Sequence, residues 1–314
     1  MKNVMENVTH IEGLLYQHNL SLRTSGENSK NPGTQFINGT IDIATDNNLT
    51  NIVTIHYTYV TAKTSKGTDD SRFATLSNIM NGTLCSVMEH GVDKAAKLRV
   101  DSAIGLNEFF SNRTGEEVLV SQKRNEGGFI HVTQTLADDE KLRNTFKCDM
   151  IITGAVRVEA DAERERPEKV IVKGYVFDFR KALLPVEFTA LNPGAMDYFE
   201  GLDASPKNPC FTKVWGRQIS QIVTVRKVTE SAFGEPSVEE STSTQRDFVI
   251  TGGAQEPYTW DDESTITAAE YTKAQQDREV VIEGIKQRQD EYNASRAQTQ
   301  APAAATGGAN GFNF

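Results

Sequence analysis

The sequence predicts a mainly β protein: two tandem Greek-key barrels, then a C-terminal helix and a disordered tail. Three observations carry that prediction. The first is a repeat. Phe36-Ile-Asn-Gly39-Thr-Ile-Asp-Ile43 followed by Asn51-Ile-Val-Thr-Ile-His-Tyr-Thr58 is echoed by Ile171-Val-Lys-Gly174-Tyr-Val-Phe-Asp-Phe179 followed by Val186-Glu-Phe-Thr189. Each reads as two strands of alternating character around a short break. The second is glycine placement: a preceding strand carries Gly13 in one copy and Gly154 in the other, and a glycine inside a strand marks the bulge or bend that a small coiled barrel needs. The third is length, since 314 residues exceed one small barrel and suit two plus a tail.

In chain order, the first strand centres on Ile11–Leu15 and leads into a loop over 24–35 punctuated by Gly26, Pro32 and Gly33. Strands two and three follow. In the latter Val53, Ile55, Tyr57 and Tyr59 share one face and Ile52, Thr54, His56 and Thr58 the other; either face can be the inward one. After a basic loop from Lys63 to Gly67 comes a helix from Ser71 to Met80, and 87–98 can continue helically, with Val87, Met88 and Val92 in the core and Gly91 as a possible break. A strand over 98–110, a polar connection over 111–128 with a turn at Asn125-Glu-Gly-Gly128, and a closing strand from Phe129 to Thr133 finish the first copy.

The second copy repeats the order, with a helix from Pro193 to Leu202, a strand over 211–228, a polar connection over 230–246 and a closing run from Phe248 to Thr251. Three strands, a helix and two strands is the element order of the OB-fold, so two OB-like barrels are expected. The boundaries fall at 1–145, 146–254, 255–297 for an acidic linker and helix, and 298–314 for a disordered tail of Ala, Pro, Thr and Gly.

Composition narrows the function classes. No apolar run approaches the roughly 18 residues of a spanning helix and the first residues lack the apolar core of a signal peptide, so a cytoplasmic protein is expected, in a host cell if viral. Cys85, Cys148 and Cys210 lie far apart with no partner at ligand spacing; buried reduced thiols are expected, with no metal and no cofactor. The formal charge of −10 is unevenly placed. From Glu230 onward there are 15 acidic residues against 6 basic, which leaves 28 against 27 in the body. A nearly neutral body can carry a basic groove, because the local field decides binding.

Enzymatic motifs are absent: no phosphate-cradling loop, no dinucleotide glycine triplet, no paired histidines. The pairs Asp69-Asp70, Asp138-Asp139 and Asp261-Asp262 fit helix caps or solvated breaks better than a cation site. Binding of a nucleic-acid strand needs cations for phosphates and ring faces for bases. The candidates are Tyr57, Tyr59, Lys63, Lys66, Arg113, Lys123, Arg124 and Phe129 in the first copy, and Lys173, Tyr175, Phe177, Arg180, Lys181, Lys213, Trp215 and Arg217 in the second. For each ring the alternative is a place in the barrel core.

The stretch from Gln35 to Lys66, with Gly39, Ile41, Ile43, Val53, Ile55, Tyr57 and a Thr-Ser-Lys-Gly67 exit, resembles the strand-two to strand-three core of phage-type single-stranded-DNA-binding proteins. The block from Lys169 to Arg217, with Tyr175, Phe177, Pro185, Trp215 and Arg217, is similar to the same core. The resemblance implies a non-catalytic protein that binds single-stranded DNA independently of sequence in replication or recombination. The tail resembles that of bacterial relatives in its Gly-rich tether and terminal Phe312 and Phe314, which implies docking of replication or recombination proteins there; it lacks acids directly before the tip. The rival reading is a structural or protein-interaction protein such as a virion component, favoured by apolar patches on the barrel faces. A nuclease using the acidic pairs is a third.

Overall fold

The computed structural model describes residues 5–27, 29–113, 115–161, 166–229, 233–234, 237–260 and 265–300. Its first half holds β1 (Asn7–Thr24), β2 (Gln35–Ala44), β3 (Ile52–Thr61), β4 (Lys97–Ser111) and β5 (Val118–Val132), with helices α1 (Ser71–Met80) and α2 (Val87–His90) between β3 and β4. The second half holds β6 (Asn144–Val158), β7 (Lys169–Phe177), β8 (Leu183–Ala190), β9 (Cys210–Thr229) and β10 (Ser237–Gly253), with α3 (Pro193–Gly201) between β8 and β9 and α4 (Ala268–Gln300) at the end.

Hydrogen bonding closes each half on itself. In the first, β1 pairs with β2, β2 with β3, β3 with β5, β5 with β4 and β4 with β1, all antiparallel except β3–β5. The second repeats this circuit, and its one parallel pair is β8–β10. Two OB-like Greek-key barrels result. The alternate residues of each strand that point inward build the cores, around Ile11, Ile41, Ile55 and Val100 in the first barrel and Phe146, Val172, Phe188 and Phe248 in the second.

Each barrel is plugged by its helix. Asp70 caps α1 by accepting from Arg72 N at 2.9 Å, and the helix buries Leu76 and Ile79; Asn192 caps α3, which buries Met196 and Phe199. The strongly coiled second strands need glycine. A Cβ on Gly39, whose φ is +136°, would overlap the Asn19 carbonyl oxygen, and one on Gly174 would overlap that of Ile151.

The barrels form one continuous sheet. The start of β1, Asn7 to Ile11, pairs with Asn144 to Cys148 of β6, and the Asn7 amide donates to Ile104 O at 2.9 Å and to Phe177 O at 3.0 Å. The three cysteines are free, with Cys148 buried and Cys85 and Cys210 half-buried.

Several expectations are corrected. Residues 118–128 belong to β5 and 237–246 to β10, although both stretches read as polar connections. They pair along the far ends of β4 and β9 as long two-stranded ribbons. The run Glu239-Glu-Ser-Thr-Ser-Thr-Gln245 contains no apolar residue, so backbone pairing and not periodicity makes it a strand. Residues 87–98 are not one helix: Gly91, at φ +85°, ends α2, and β4 begins at Lys97. Met88 and Val92 are accordingly exposed. α4 runs to Gln300, and the remainder of the expected tail lies outside the described residues.

Candidate nucleic-acid interface

A cleft of about 1600 Å³ runs across the junction of the two barrels. Its first-barrel wall carries Tyr59, Arg72 and Phe129; its second-barrel wall is the turn from Asp178 to Ala182; α4 contributes Ala274, Asp277, Arg278 and Val281. The volume exceeds the roughly 300–1,000 Å³ usual for a small-molecule site and suits a polymer.

Tyr59 enters the cleft through a break in alternation. β2 and β3 pair Gly39 with Tyr57 but Ile37 with Val60, so Thr58 and Tyr59 together face the single residue Asn38. This β-bulge turns Tyr59 outward, 47% exposed, and leaves Tyr57 inward at 2%. The two tyrosines therefore do not share a face. The Tyr59 ring rests on Phe36, centroids 4.5 Å apart, and its hydroxyl lies 3.2 Å from Ser25 Oγ.

Arg72 and Phe129 form a second unit. The Asp70 carboxylate accepts from Arg72 Nε at 3.0 Å and from Nη2 at 2.6 Å, and these bonds hold the Asp70 carboxyl below its usual range. So fixed, the guanidinium stands 5.6 Å over the Phe129 ring, which is 60% exposed.

The turn between β7 and β8 forms the third. Asp178 accepts from the backbone N–H of Arg180 and Ala182, both at 2.8 Å, and Lys181 adopts a left-handed φ of +65°. Phe179 is thereby presented 81% exposed, with the Arg180 guanidinium 5.0 Å from its ring centre. Arg180 and Lys181 make no ion pair among the described residues.

The acids of the cleft are engaged. Glu108 binds both Arg278 Nη atoms, Glu126 binds Arg124 at 2.6 Å, and Asp101 lies 2.8 Å from His10 Nδ1. Asp277 pairs with Lys273 at 3.0 Å. Lys213 is held by Glu6 at 2.8 Å and Asp149 at 3.6 Å. The Glu6 bond first, then these carboxylates, push the lysine's pKa up, so Lys213 is a neutralised member of a network and not a free cation.

Other predicted contacts lie elsewhere. Tyr57 is core, and burial raises its hydroxyl pKa. Tyr175 and Phe177 do face out of the second barrel, but the chain's own C-terminal segment covers them: Phe177 packs with Phe211, Ile266 and Tyr271, and Tyr175 packs against that cluster. Lys123 is half-buried, donating to Glu187 O and lying 5.7 Å and 5.5 Å from the centres of Phe188 and Phe248; desolvation lowers its pKa. It clasps the two barrels together and is not free for phosphate.

Lys63 pairs with Asp69 at 2.6 Å, and Lys173 with Glu187 at 3.3 Å. Lys66 and Arg113 sit exposed in the β3–α1 loop and at the β4–β5 tip. Trp215, 40% exposed, lies on β9 against Gly252, with Arg217 half-buried two residues on. Tyr57, Arg124, Tyr175 and Trp215 thus do not converge on one channel. Arg72 and Phe179 are additions. Phe179 was legible as the residue after a strand end rich in aromatics, whereas nothing in the sequence brings Arg72 to Phe129. Phe312, Phe314, Asp261 and Asp262 lie outside the described residues. Asp70 and Asp139 act as caps, and among the described residues no cluster of His, Cys, Asp or Glu can hold a metal ion. No helix among them is long and apolar enough to cross a membrane.

The family model of YorF matches residues 6–292. The chain belongs to the YorF family. Among solved structures it is similar to the wild-type single-stranded DNA binding protein from Thermus aquaticus, at 10% identity over 83% of this chain and 96% of that one, with a TM-score of 0.46. A deletion mutant of the same Thermus aquaticus protein is similar at 9% identity over 82% and 97%, TM-score 0.44. A search of curated proteins finds no match.

Proposed function

We propose that this protein binds single-stranded DNA without reading its sequence, as a non-catalytic, phage-type strand-coating protein of replication or recombination. One observation carries the reading: a strand-sized cleft across two OB-like barrels offers three exposed rings, Tyr59, Phe129 and Phe179, two of them already topped by guanidinium groups. Rings accept any base on their faces, and cations take the phosphates, which gives affinity without base discrimination. Because the acids of the cleft are paired or hydrogen-bonded, the cations left for phosphates there among the described residues are Arg180, Lys181 and the outer edge of Arg72.

An anisotropy titration with a labelled oligo-dT strand tests the proposal. Three phosphate contacts give a slope of log K against log salt of about −2, from about −0.7 per neutralised phosphate on a single strand. Saturable binding with that slope is expected. Absent or salt-insensitive binding would falsify the reading.

A further inference from the structure

A second, smaller cavity of about 220 Å³ lies on the seam where β3 and β5 of the first barrel meet β9 and β10 of the second. His56, Arg124, Asn125, Gln218 and Arg246 line it. Its walls are built, since the Asn125 amide donates to Gln218 Oε1 at 2.9 Å and Ser220 N donates to Asn51 Oδ1 at 2.7 Å.

Among the described residues two buried donors here have no acceptor, Arg124 Nε and Gln218 Nε2, and one buried acceptor, Asn125 Oδ1, has no donor. A buried polar group left unpaired is costly, and each such group asks for a partner. Arg124 spends Nη2 on Glu126 at 2.6 Å. Arg246 is exposed and makes no ion pair among the described residues. His56 reports the local field: burial, Arg124 and Arg246 lower its pKa, against the smaller opposing pull of Glu126 and Asp42. The remaining charges on the lining are Lys123, turned into the second barrel, and Asp247, 4.0 Å from Lys169.

We infer that this seam is an oxyanion site for a phosphate group, supplied either as free or terminal phosphate or as the phosphodiester of a nucleic-acid strand. Guanidinium and amide N–H groups are the donors phosphate oxygens prefer. The inference does not rest on strand binding in the large cleft, which lies on other residues. Asn125 Oδ1 separates the two sources chemically, because inorganic phosphate keeps a hydroxyl to donate to it at neutral pH, as a terminal phosphate does below its second pKa of about 6, and a phosphodiester carries none.

The test follows the His56 imidazole by NMR in the full-length protein while inorganic phosphate is added at constant ionic strength, with chloride as the balancing anion. Phosphate is expected to raise the His56 midpoint saturably. Arg246→Ala, at an exposed position that leaves the fold intact, is expected to weaken the apparent phosphate affinity about tenfold, and Arg246→Glu to abolish the response. An equal shift in chloride alone, or an unchanged affinity in both variants, overturns the site. A second arm adds oligo-dT lacking a terminal phosphate. Loss of the phosphate response identifies the strand's phosphodiester as occupant; a phosphate response that persists beside bound strand identifies free phosphate.

Discussion

At the scale of single residues, what decides a role here is whether a ring or charge is already engaged. Phe129 and Phe179 keep a free face, while Tyr57 and Phe177 of similar chemistry are sealed. Phe129→Ala and Phe179→Ala are expected to weaken oligo-dT binding by about 1–3 kcal/mol each where a base is stacked, with thermal stability unchanged; anisotropy and a melting curve check both. Lys123 shows the opposite case. Its pKa is lowered by burial, so the unfolded chain holds its proton over a pH range where the folded chain releases it. Stability therefore rises with pH as the medium approaches 10.5 from below. Lys123→Met should flatten that part of the pH profile in denaturant titrations. The docking of Lys123 against the second barrel was not legible in the sequence, because a lysine on a strand of mixed polarity reads as solvated until a second barrel is set against it.

At the scale of elements, the bulges and the helix set the site. Gly39 sits where β1 crosses β2, and Gly39→Ala is expected to cost about 3 kcal/mol, in the upper range of single substitutions, read as a lowered denaturant midpoint. α4 lies back along the β4–β5 ribbon: Arg278 grips Glu108, the Gln289 side chain bonds both backbone groups of Phe110, at 2.8 Å to N and 2.6 Å to O, and Lys286 pairs with Glu117 at 2.7 Å. Burial pulls the Glu108 pKa up, but Arg278 and Ser121 outweigh it and leave the carboxyl below its ordinary value of 4.5. A depressed carboxyl stabilises the docked state above the unfolded pKa and loses that contribution as pH falls through the folded one. The protection of α4 amides against hydrogen exchange, relative to their intrinsic rates, should therefore fall as pH drops below about 4.5, and Glu108→Gln should show the reduced protection at neutral pH. The α4 segment reads in the sequence as a helix, and its docking partner does not, since its polar contacts to β4 and the loop after it span 169 to 179 residues.

At the scale of the whole molecule, the β1–β6 pairing and the Lys123 clasp make the two barrels one body. A single calorimetric transition is expected, with equal calorimetric and van't Hoff enthalpies; two resolved transitions would sink this. The duplicated barrel was readable from local order because strand alternation, interior glycines and helix position are short-range features, each repeated in both halves. The returning strands of the two long ribbons were not, since 121–128 and 239–245 hold no apolar residue and so leave no periodic trace. The face each side chain presents was settled only when distant segments met: a bulge turned Tyr59 out, the C-terminal segment roofed over Tyr175 and Phe177, and the second barrel engaged Lys123. Near-neighbour chemistry specifies which elements form, because backbone geometry and side-chain alternation act within a few residues. Exposure depends on what packs from far along the chain, so the cleft and its free rings belong to the tertiary structure alone.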